Sequence, residues 1–126
     1  MNLNLKGKNA IVCASSQGLG KAAAMDLAME GVNLAICSRD LNNINKVKEE
    51  ILERTEQNIK VVSLKVNLDS AEEINGFFQE VESRLGSVDI LVNNTGGPPP
   101  SSFEQISDED WQNAFILPIF VRNLLK

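Results

Sequence analysis

Short apolar runs alternate with amphipathic segments along this 126-residue chain, and this alternation restricts its fold more than any other feature. Four runs have the length and composition of buried strands, at residues 9–14, 32–38, 59–66 and 88–92. Between them, apolar residues recur every three or four positions, as on the packed face of a helix. The predicted order is β-α-β-α-β-α-β, followed by a loop and a last helix that Ser107 caps and that begins near Asp108.

The three intervening helices carry different signals. The first is expected over residues 18–30, with a packed face made of Leu19, Ala22, Ala23 and Met29. The second is expected over residues 40–56, where the recurring apolar residues are Leu41, Ile44, Val47, Ile51 and Leu52. The third opens at Ser70, which forms a capping-box signature with Glu73, and it ends at Gly86.

Strands that alternate with helices predict an α/β fold with a parallel sheet and helices on both faces. We expect a doubly wound sheet of about four strands in a three-layer α/β/α arrangement. A composition of 43% hydrophobic and 23% charged residues is that of an ordinary globular domain. The sequence shows no internal repeat, linker or second domain.

The chain contains no His and no Tyr, so it cannot by itself supply a Ser-His-Asp triad, a His-ligated zinc site or a Tyr general acid. Its formal net charge of −5 leaves no basic face, which argues against nucleic acid as a partner. Cys13 and Cys37 lack metal-ligand spacing and are expected to be buried, reduced thiols. Without a signal peptide or a membrane span, a cytoplasmic location is expected.

A glycine-rich turn joins the first predicted strand to the first helix, which is where a doubly wound sheet binds a nucleotide. Gly18 allows the backbone to approach a pyrophosphate, and Gly20 allows the helix to pack close to the strand. The helix N-terminus offers free N–H groups, and the hydroxyls of Ser15 and Ser16 are candidate phosphate donors. A plain tight turn is the alternative interpretation.

The turn resembles the Thr-Gly-x-x-x-Gly-x-Gly motif of the short-chain dehydrogenase/reductase family. The matching residues are Cys13-Ala14-Ser15-Ser16-Gln17-Gly18-Leu19-Gly20, with Cys13 and Ala14 in place of the threonine and the first glycine. The family's Asn-Asn-Ala-Gly motif is matched after the fourth strand by Asn93-Asn94-Thr95-Gly96. Asparagine side chains there are expected to tie neighbouring strand ends together, and Gly96 to leave space beside the cofactor. The resemblance implies a Rossmann-like, NAD(P)-binding half-domain over residues 1–115.

The resemblance also bears on which dinucleotide binds. Family members that use NADP commonly carry an arginine where this chain has Arg39, and a guanidinium there can clamp a 2′-phosphate. Ser38 can add a hydroxyl donor, so NADP(H) is preferred over NAD(H). The alternative is that Arg39 is a solvated loop residue paired with Asp40, which can equally cap the next helix.

At the end of the third strand, the family often has an Asp-Val or Asp-Leu pair that brackets the adenine. Asn67 and Leu68 stand there, so the Asn67 amide oxygen is expected to accept from the adenine and Leu68 to pack on its ring. The alternative is that Asn67 is a simple turn residue.

The family's Tyr-x-x-x-Lys pair has no counterpart in this chain, which contains no Tyr. At the family level, the resemblance implies an NADP(H)-dependent oxidoreductase that acts on a small carbonyl or alcohol. This chain would supply the cofactor-binding half and be inactive alone. The alternatives are a non-catalytic NADP(H)-binding module, half of a split enzyme, or a non-functional remnant.

Three further expectations concern the end of the chain. Residues 116–126 lose the family pattern near Pro118, so we expect an atypical tail that is out of register, with ordinary divergence and a proline kink as the alternative. The fourth strand is expected to be an exposed sheet edge, with marginal stability or self-association as the consequence. Pro98, Pro99 and Pro100 are expected to stiffen a loop, either as one wall of a substrate pocket or as a plain connector.

Overall fold

The computed structural model describes residues 3–94 and 103–109. Within them four strands and three helices alternate: β1 (Asn9–Val12), α1 (Gly18–Met29), β2 (Asn33–Ser38), α2 (Leu41–Arg54), β3 (Val61–Lys65), α3 (Ala71–Leu85) and β4 (Ile90–Val92). A short 3₁₀ helix, Phe103–Gln105, follows, and residues 108–109 are helical. The proline run and the tail at 116–126 lie outside the described residues, so the expectations placed on them remain predictions.

The four strands form one parallel sheet in the order β3-β2-β1-β4. The chain thus winds outward from β1 in both directions, and the predicted α/β doubly wound fold is confirmed. β1 is hydrogen-bonded on both sides, to β2 and to β4. Within the described part of the chain, β4 is an edge strand and its three residues are half-buried.

Alternation along the strands divides the core into two layers, as the pleat of a sheet requires. The layer beneath α1 and α2 takes Ala10 and Val12 from β1, Leu34 and Ile36 from β2, and Ile44, Val47 and Ile51 from α2. The layer beneath α3 takes the intervening strand residues, among them Ile11, Cys13, Ala35 and Cys37. It is completed by Ile74, Phe77 and Val81 of α3, so the predicted three-layer arrangement is confirmed.

The packed face predicted for α1 is wrong for three of its four residues, because Ala22 is exposed with Leu19 and Met29, and only the half-buried Ala23 packs against the core. Leu19 is 85% exposed and Met29 is 61% exposed, whereas the buried residues of this helix are Gly20, Ala24 and Ala28. These small residues recur every fourth position and let the helix backbone approach the sheet closely, which larger apolar side chains would prevent. The line of closest packing therefore carries the smallest side chains, while Ala23, Met25 and Leu27 pack beside it, half-buried.

The helix starts predicted for α2 and α3 are confirmed by their caps. The Asp40 carboxylate accepts from the backbone N–H groups of Asn42 and Asn43, at 2.9 and 3.2 Å. The Ser70 hydroxyl accepts from the N–H of Glu73 at 3.2 Å. Each cap satisfies N–H groups that have no partner inside the helix. Among the helices in the described ranges, none is long and apolar enough to span a bilayer.

Asparagine side chains connect the amino ends of all four strands. Asn9 Nδ2 donates to the carbonyl oxygens of Leu85 and Ser87, which lead into β4, at 2.9 and 3.0 Å. Asn9 Oδ1 accepts from Asn33 Nδ2 at the start of β2, at 3.1 Å. Asn33 Oδ1 in turn accepts from the Lys60 N–H, just before β3, at 2.9 Å. This series of side-chain hydrogen bonds thus fixes the positions of the four strand starts relative to one another.

Replacing Asn9 by alanine is expected to lower the free energy of unfolding by about 2 kcal/mol, because it leaves two carbonyls and the Asn33 amide without their partner. Urea denaturation followed by circular dichroism measures the change. The exposed turn residue Asn58 provides the control, because Asn58→Ala removes the same amide from a surface position and should change stability by less than about 0.5 kcal/mol. Equal effects from both variants would contradict a stabilising role for the Asn9 contacts.

Candidate functional site

The turn at residues 14–20 lies at the carboxyl end of β1 and holds two residues with left-handed backbone. Ala14 has φ +49° and Gly18 has φ +61°. A Cβ built on Gly18 would meet no atom within 4 Å, so the space above this part of the turn is open. Glycine adopts a positive φ without cost, whereas alanine is strained there. Ala14 stands where the family motif has its first glycine and adopts a conformation that favours glycine, so its backbone is under strain.

Gly20 lies at the closest approach between α1 and the strand ends. A Cβ on Gly20 would overlap the Ala14 carbonyl oxygen and stand 2.8 Å from Asn94 Nδ2. The geometry thus confirms that a glycine is required here for the helix to pack against the turn.

Asn94 joins the ends of β4 and β1, as the sequence predicted for the asparagine pair. Its Nδ2 lies 3.3 Å from the Ala14 carbonyl oxygen and 3.5 Å from that of Cys13, and it donates to both. Asn93 is exposed beside it. Thr95 and Gly96 lie outside the described residues, so their expected places beside the cofactor remain predictions.

The N-terminus of α1 differs from those of the other two helices. Its N-cap residue, the exposed Gln17, makes no side-chain capping bond, in contrast to Asp40 and Ser70. The first N–H groups of α1 therefore receive no capping bond from Gln17, and the first residue of the helix, Gly18, borders open space. Such groups, at the positive end of a helix dipole, form a binding place for phosphate oxygens.

The two serine hydroxyls of the turn are not equivalent. Ser15 is fully buried, and its Oγ donates to the Val12 carbonyl oxygen at 2.7 Å. Ser16 is half-buried on the turn surface. Phosphate donation by Ser15 remains a prediction, and it would require its hydroxyl to rotate away from Val12. Ser16 is better placed for that role.

Ser38 and Arg39, at the end of β2, lie in different environments. Ser38 Oγ donates to the Asp40 carbonyl oxygen at 2.9 Å and accepts from the Asp40 N–H at 3.1 Å, which closes a local turn. Its only hydrogen is thereby used inside the protein. Arg39 points outward, with 74% of its side chain exposed, and pairs at 3.3 Å with Asp69 rather than with Asp40. A solvated arginine was an alternative in the sequence, but its partner was not foreseen.

Arg39 lines an open cleft of about 250 Å³ together with Lys65, Asn67 and Asp69. Lys65 and Asp69 were missed at the sequence level. Lys65 ends β3 and Asp69 follows it, and the carboxyl end of β3 lies beside that of β2, so the predicted parallel order could have pointed to both residues. Two cations and one carboxylate at this edge of the sheet give the cleft a net positive charge, which favours an anionic ligand.

The Asn67-Leu68 pair behaves differently from its expected adenine-bracketing role. Asn67 Oδ1 accepts from the Asp69 N–H at 3.0 Å, which supports the turn interpretation and leaves the oxygen a second lone pair. Leu68 is only 8% exposed and packs in the core layer beneath α3. Its side chain faces that core instead of the cleft, so the expected packing on an adenine ring is not present in this conformation.

Comparison with known proteins identifies the family of this chain. The family model for short chain dehydrogenases matches residues 8–120. The chain belongs to this family. Relatives include the NADPH-dependent reductase BacG of Bacillus subtilis, which is 38% identical over 108 residues. The 3-oxoacyl-[acyl-carrier-protein] reductase FabG of Aquifex aeolicus is 34% identical over 112 residues. The short-chain dehydrogenase chain resembles the crystal structure of L-sorbose reductase from Gluconobacter frateurii, complexed with NADPH and L-sorbose, with a TM-score of 0.88 and 27% identity.

These similarities cover most of this chain but less than half of each relative. The matches span 86% of this chain and 41% of BacG, and 89% of this chain and 44% of FabG. The structural match spans 99% of this chain and 47% of the sorbose reductase chain. The short-chain dehydrogenase fold described here thus corresponds to the N-terminal part of longer proteins.

Replacing Ala14 by glycine is expected to stabilise the fold by about 0.5–1 kcal/mol. Relief of the left-handed strain, worth about 1–2 kcal/mol, exceeds the added chain entropy of glycine in the unfolded state, worth about 0.4–1 kcal/mol. Chemical denaturation measures the change. The same substitution at the exposed α1 residue Ala22 is the control and should destabilise by about 1 kcal/mol. Destabilisation by both variants would show that Ala14 is not strained.

Gly20→Ala and Gly76→Ala form a second matched pair, since both glycines lie in helices. Gly20→Ala should destabilise by about 1–3 kcal/mol, because its methyl group overlaps the turn backbone. A Cβ on Gly76 meets nothing within 4 Å, so Gly76→Ala should stabilise α3 by up to about 1 kcal/mol. Thermal unfolding of both variants distinguishes the two environments. A stable Gly20→Ala variant would contradict the close approach of α1 to the strand ends.

Proposed function

We propose that this chain binds NADP(H) and supplies the cofactor-binding part of a short-chain dehydrogenase that transfers hydride between the dinucleotide and a small carbonyl or alcohol. The observation that carries the proposal is the uncapped N-terminus of α1 above an open, left-handed turn. The family supplies the reaction class. Two of the similar proteins are named for NADPH or were solved with it, which supports the choice of dinucleotide.

The residues divide into three groups by the part of NADP(H) that each would contact. The pyrophosphate would lie over the turn, held by backbone N–H groups around Gly18 and by the Ser16 hydroxyl. The 2′-phosphate would lie in the cleft beside Arg39, with Lys65 as a second cation. Asn93, Asn94, Thr95 and Gly96 would border the nicotinamide side, where Asn94 already holds the two strand ends together.

The chemistry itself needs a proton donor beside the nicotinamide. When bound, the dinucleotide would supply the hydride, and the chain's own residues would hold and orient it. None of the 126 residues is a Tyr, so the family's usual acid is absent from this sequence. We therefore propose that the chain alone binds the cofactor without turning over a substrate.

The absence of Tyr also favours a second candidate function, a non-catalytic NADP(H)-binding module. The two candidates differ in what a chain carrying the family's Tyr-x-x-x-Lys region would do. Mixing this chain with such a chain should restore NADPH oxidation in the presence of a carbonyl substrate if the enzyme proposal holds. Binding without any restored turnover would favour the module. The cytoplasm, predicted from the sequence, is the location we propose for either.

Substitutions in the cleft test the preference for NADP(H). Isothermal titration with NADPH and with NADH is the measurement. Arg39→Gln should weaken NADPH binding about ten- to hundred-fold, because a charge-assisted bond to phosphate is worth about 1.5–3 kcal/mol. Asp69→Asn frees Arg39 from its ion pair and should tighten NADPH binding about two- to fivefold. Neither change should move NADH affinity, since NADH lacks the 2′-phosphate.

The NADH titration is the control for folding. If Arg39→Gln lowers the affinity for both dinucleotides equally, the arginine does not read the 2′-phosphate and the NADP(H) preference is wrong. If the unaltered chain binds neither dinucleotide, the proposed cofactor function itself fails.

A further inference from the structure

The two cysteines lie side by side beneath the turn at residues 14–20. The pairing of Val12 with Ile36 places Cys13, one residue further along, next to Cys37 on the neighbouring strand. Both side chains belong to the core layer beneath α3 and are at most 1% exposed. Neighbouring strands are about 4.7–4.9 Å apart, which lies inside the Cα separation of about 4.4–6.8 Å that a disulfide requires.

The surroundings of the two sulfur atoms make them unequal. A hydrogen bond from the Cys13 thiol lowers the pKa of Cys37 against the opposing effect of burial, with a further lowering from the Ala14 N–H. The same thiol contact, followed by burial, raises the pKa of Cys13. The thiolate, which is the reactive form, is therefore favoured at Cys37, with the Cys13 thiol beside it.

We propose that Cys13 and Cys37 are a modification site, an oxidisable thiol pair that a hydroperoxide converts into a disulfide beneath the turn. Both cysteines are free in the structure, so it represents the reduced state. The proposal stands on the strand register and on the shared core layer, and it does not depend on cofactor binding.

The reaction balances in two steps. The Cys37 thiolate attacks the peroxide oxygen, the O–O bond breaks, and Cys37 becomes a sulfenic acid while the leaving alkoxide or hydroxide takes a proton. The Cys13 sulfur then attacks the Cys37 sulfur, and the released hydroxide leaves as water with the Cys13 proton. Two thiols lose two electrons in total, and the peroxide gains them.

Access to the pair limits the rate. Cys13 borders an apolar cavity of only about 10 Å³, walled by residues that include Leu68 and Phe77. An oxidant larger than water reaches the sulfurs only when the packing beneath α3 opens locally. Oxidation is therefore expected to be slower than that of an exposed thiol.

The backbone carbonyls of the two cysteines are hydrogen-bonded to residues that form or support the turn. The Ser15 N–H donates to the Cys37 carbonyl oxygen at 3.0 Å, and Asn94 Nδ2 donates to the Cys13 carbonyl oxygen at 3.5 Å. Ala14, between Cys13 and Ser15, already has a strained backbone. Drawing the two sulfurs into a covalent bond would shift these contacts and change the turn that we propose as the phosphate site.

Peptide mapping tests the pair directly, because trypsin separates Cys13 in peptide 9–21 from Cys37 in peptide 22–39. The folded chain is treated with hydrogen peroxide, unreacted thiols are alkylated after unfolding, and the digest is analysed by mass spectrometry. We expect the two peptides joined with the loss of two hydrogen atoms, and separated again by dithiothreitol. Methionine sulfoxide at Met25 or Met29 adds oxygen to peptide 22–39 and is not reversed, so it is distinguished by mass.

Cys13→Ala and Cys37→Ala are the controls, since each leaves a single thiol and should abolish the joined peptide. The proposal is overturned if both thiols remain fully alkylatable after an exposure that oxidises a small dithiol in the same tube. It is equally overturned if only links between identical cysteines of two chains form, because those need no strand neighbour.

Hydrogen exchange and NADPH titration then test the effect on the turn. The disulfide should speed exchange of the Ser15 amide, whose bond to Cys37 it disturbs. Unchanged exchange would show that the disulfide does not reach the turn. Weaker NADPH binding by the oxidised chain, restored by dithiothreitol, is expected on the basis of the proposed function. Failure of the reduced chain to bind NADPH would count against that function and leave the peptide-mapping result standing.

Discussion

The backbone pairing of β1 with strands on both sides is the interaction on which the rest of the molecule depends. β1 pairs with β2 on one side and with β4 on the other, so it fixes the register between these two strands, and β2 carries that register on to β3. At its amino end, Asn9 extends that control to the strand starts through side-chain bonds. At its carboxyl end the chain leaves the sheet through the turn. A shift in the register of β1 would therefore displace both the asparagine contacts at its amino end and the turn at its carboxyl end.

Strain and close packing meet at the carboxyl end of β1. The chain must reverse there within a few residues and leave α1 nearly touching the strands, and this requires left-handed backbone at Ala14 and no side chain at Gly20. Asn94 holds the Ala14 carbonyl oxygen in place and so helps to keep a conformation that alanine alone disfavours. The small residues Ala24 and Ala28 continue the close contact along α1. The turn and the helix that follows it therefore share one line of close contact with the sheet.

The two ends of β2 differ in charge and in exposure. The amino end is fixed by neutral amide contacts through Asn33. The carboxyl end carries Arg39 into solvent, where Asp69 offsets its charge without burying it. An exposed ion pair is weak and exchanges partners readily, so a phosphate can compete for the guanidinium at little cost. Beneath the same strand end, the core layer under α3 holds the two buried thiols, Cys13 and Cys37.

The sequence by itself determined the order of the elements, the parallel sheet, the caps at Asp40 and Ser70, and the place of the glycine turn. These follow from periodicity and from residues that act within a few positions of themselves, which a linear pattern records. Only the tertiary structure decided which face of α1 packs, that Arg39 meets Asp69, that Leu68 turns into the core, and that Cys13 lies beside Cys37. Each of these depends on strand register or on helix rotation. A shift of one residue in either moves a side chain to a different neighbour while the sequence pattern stays the same.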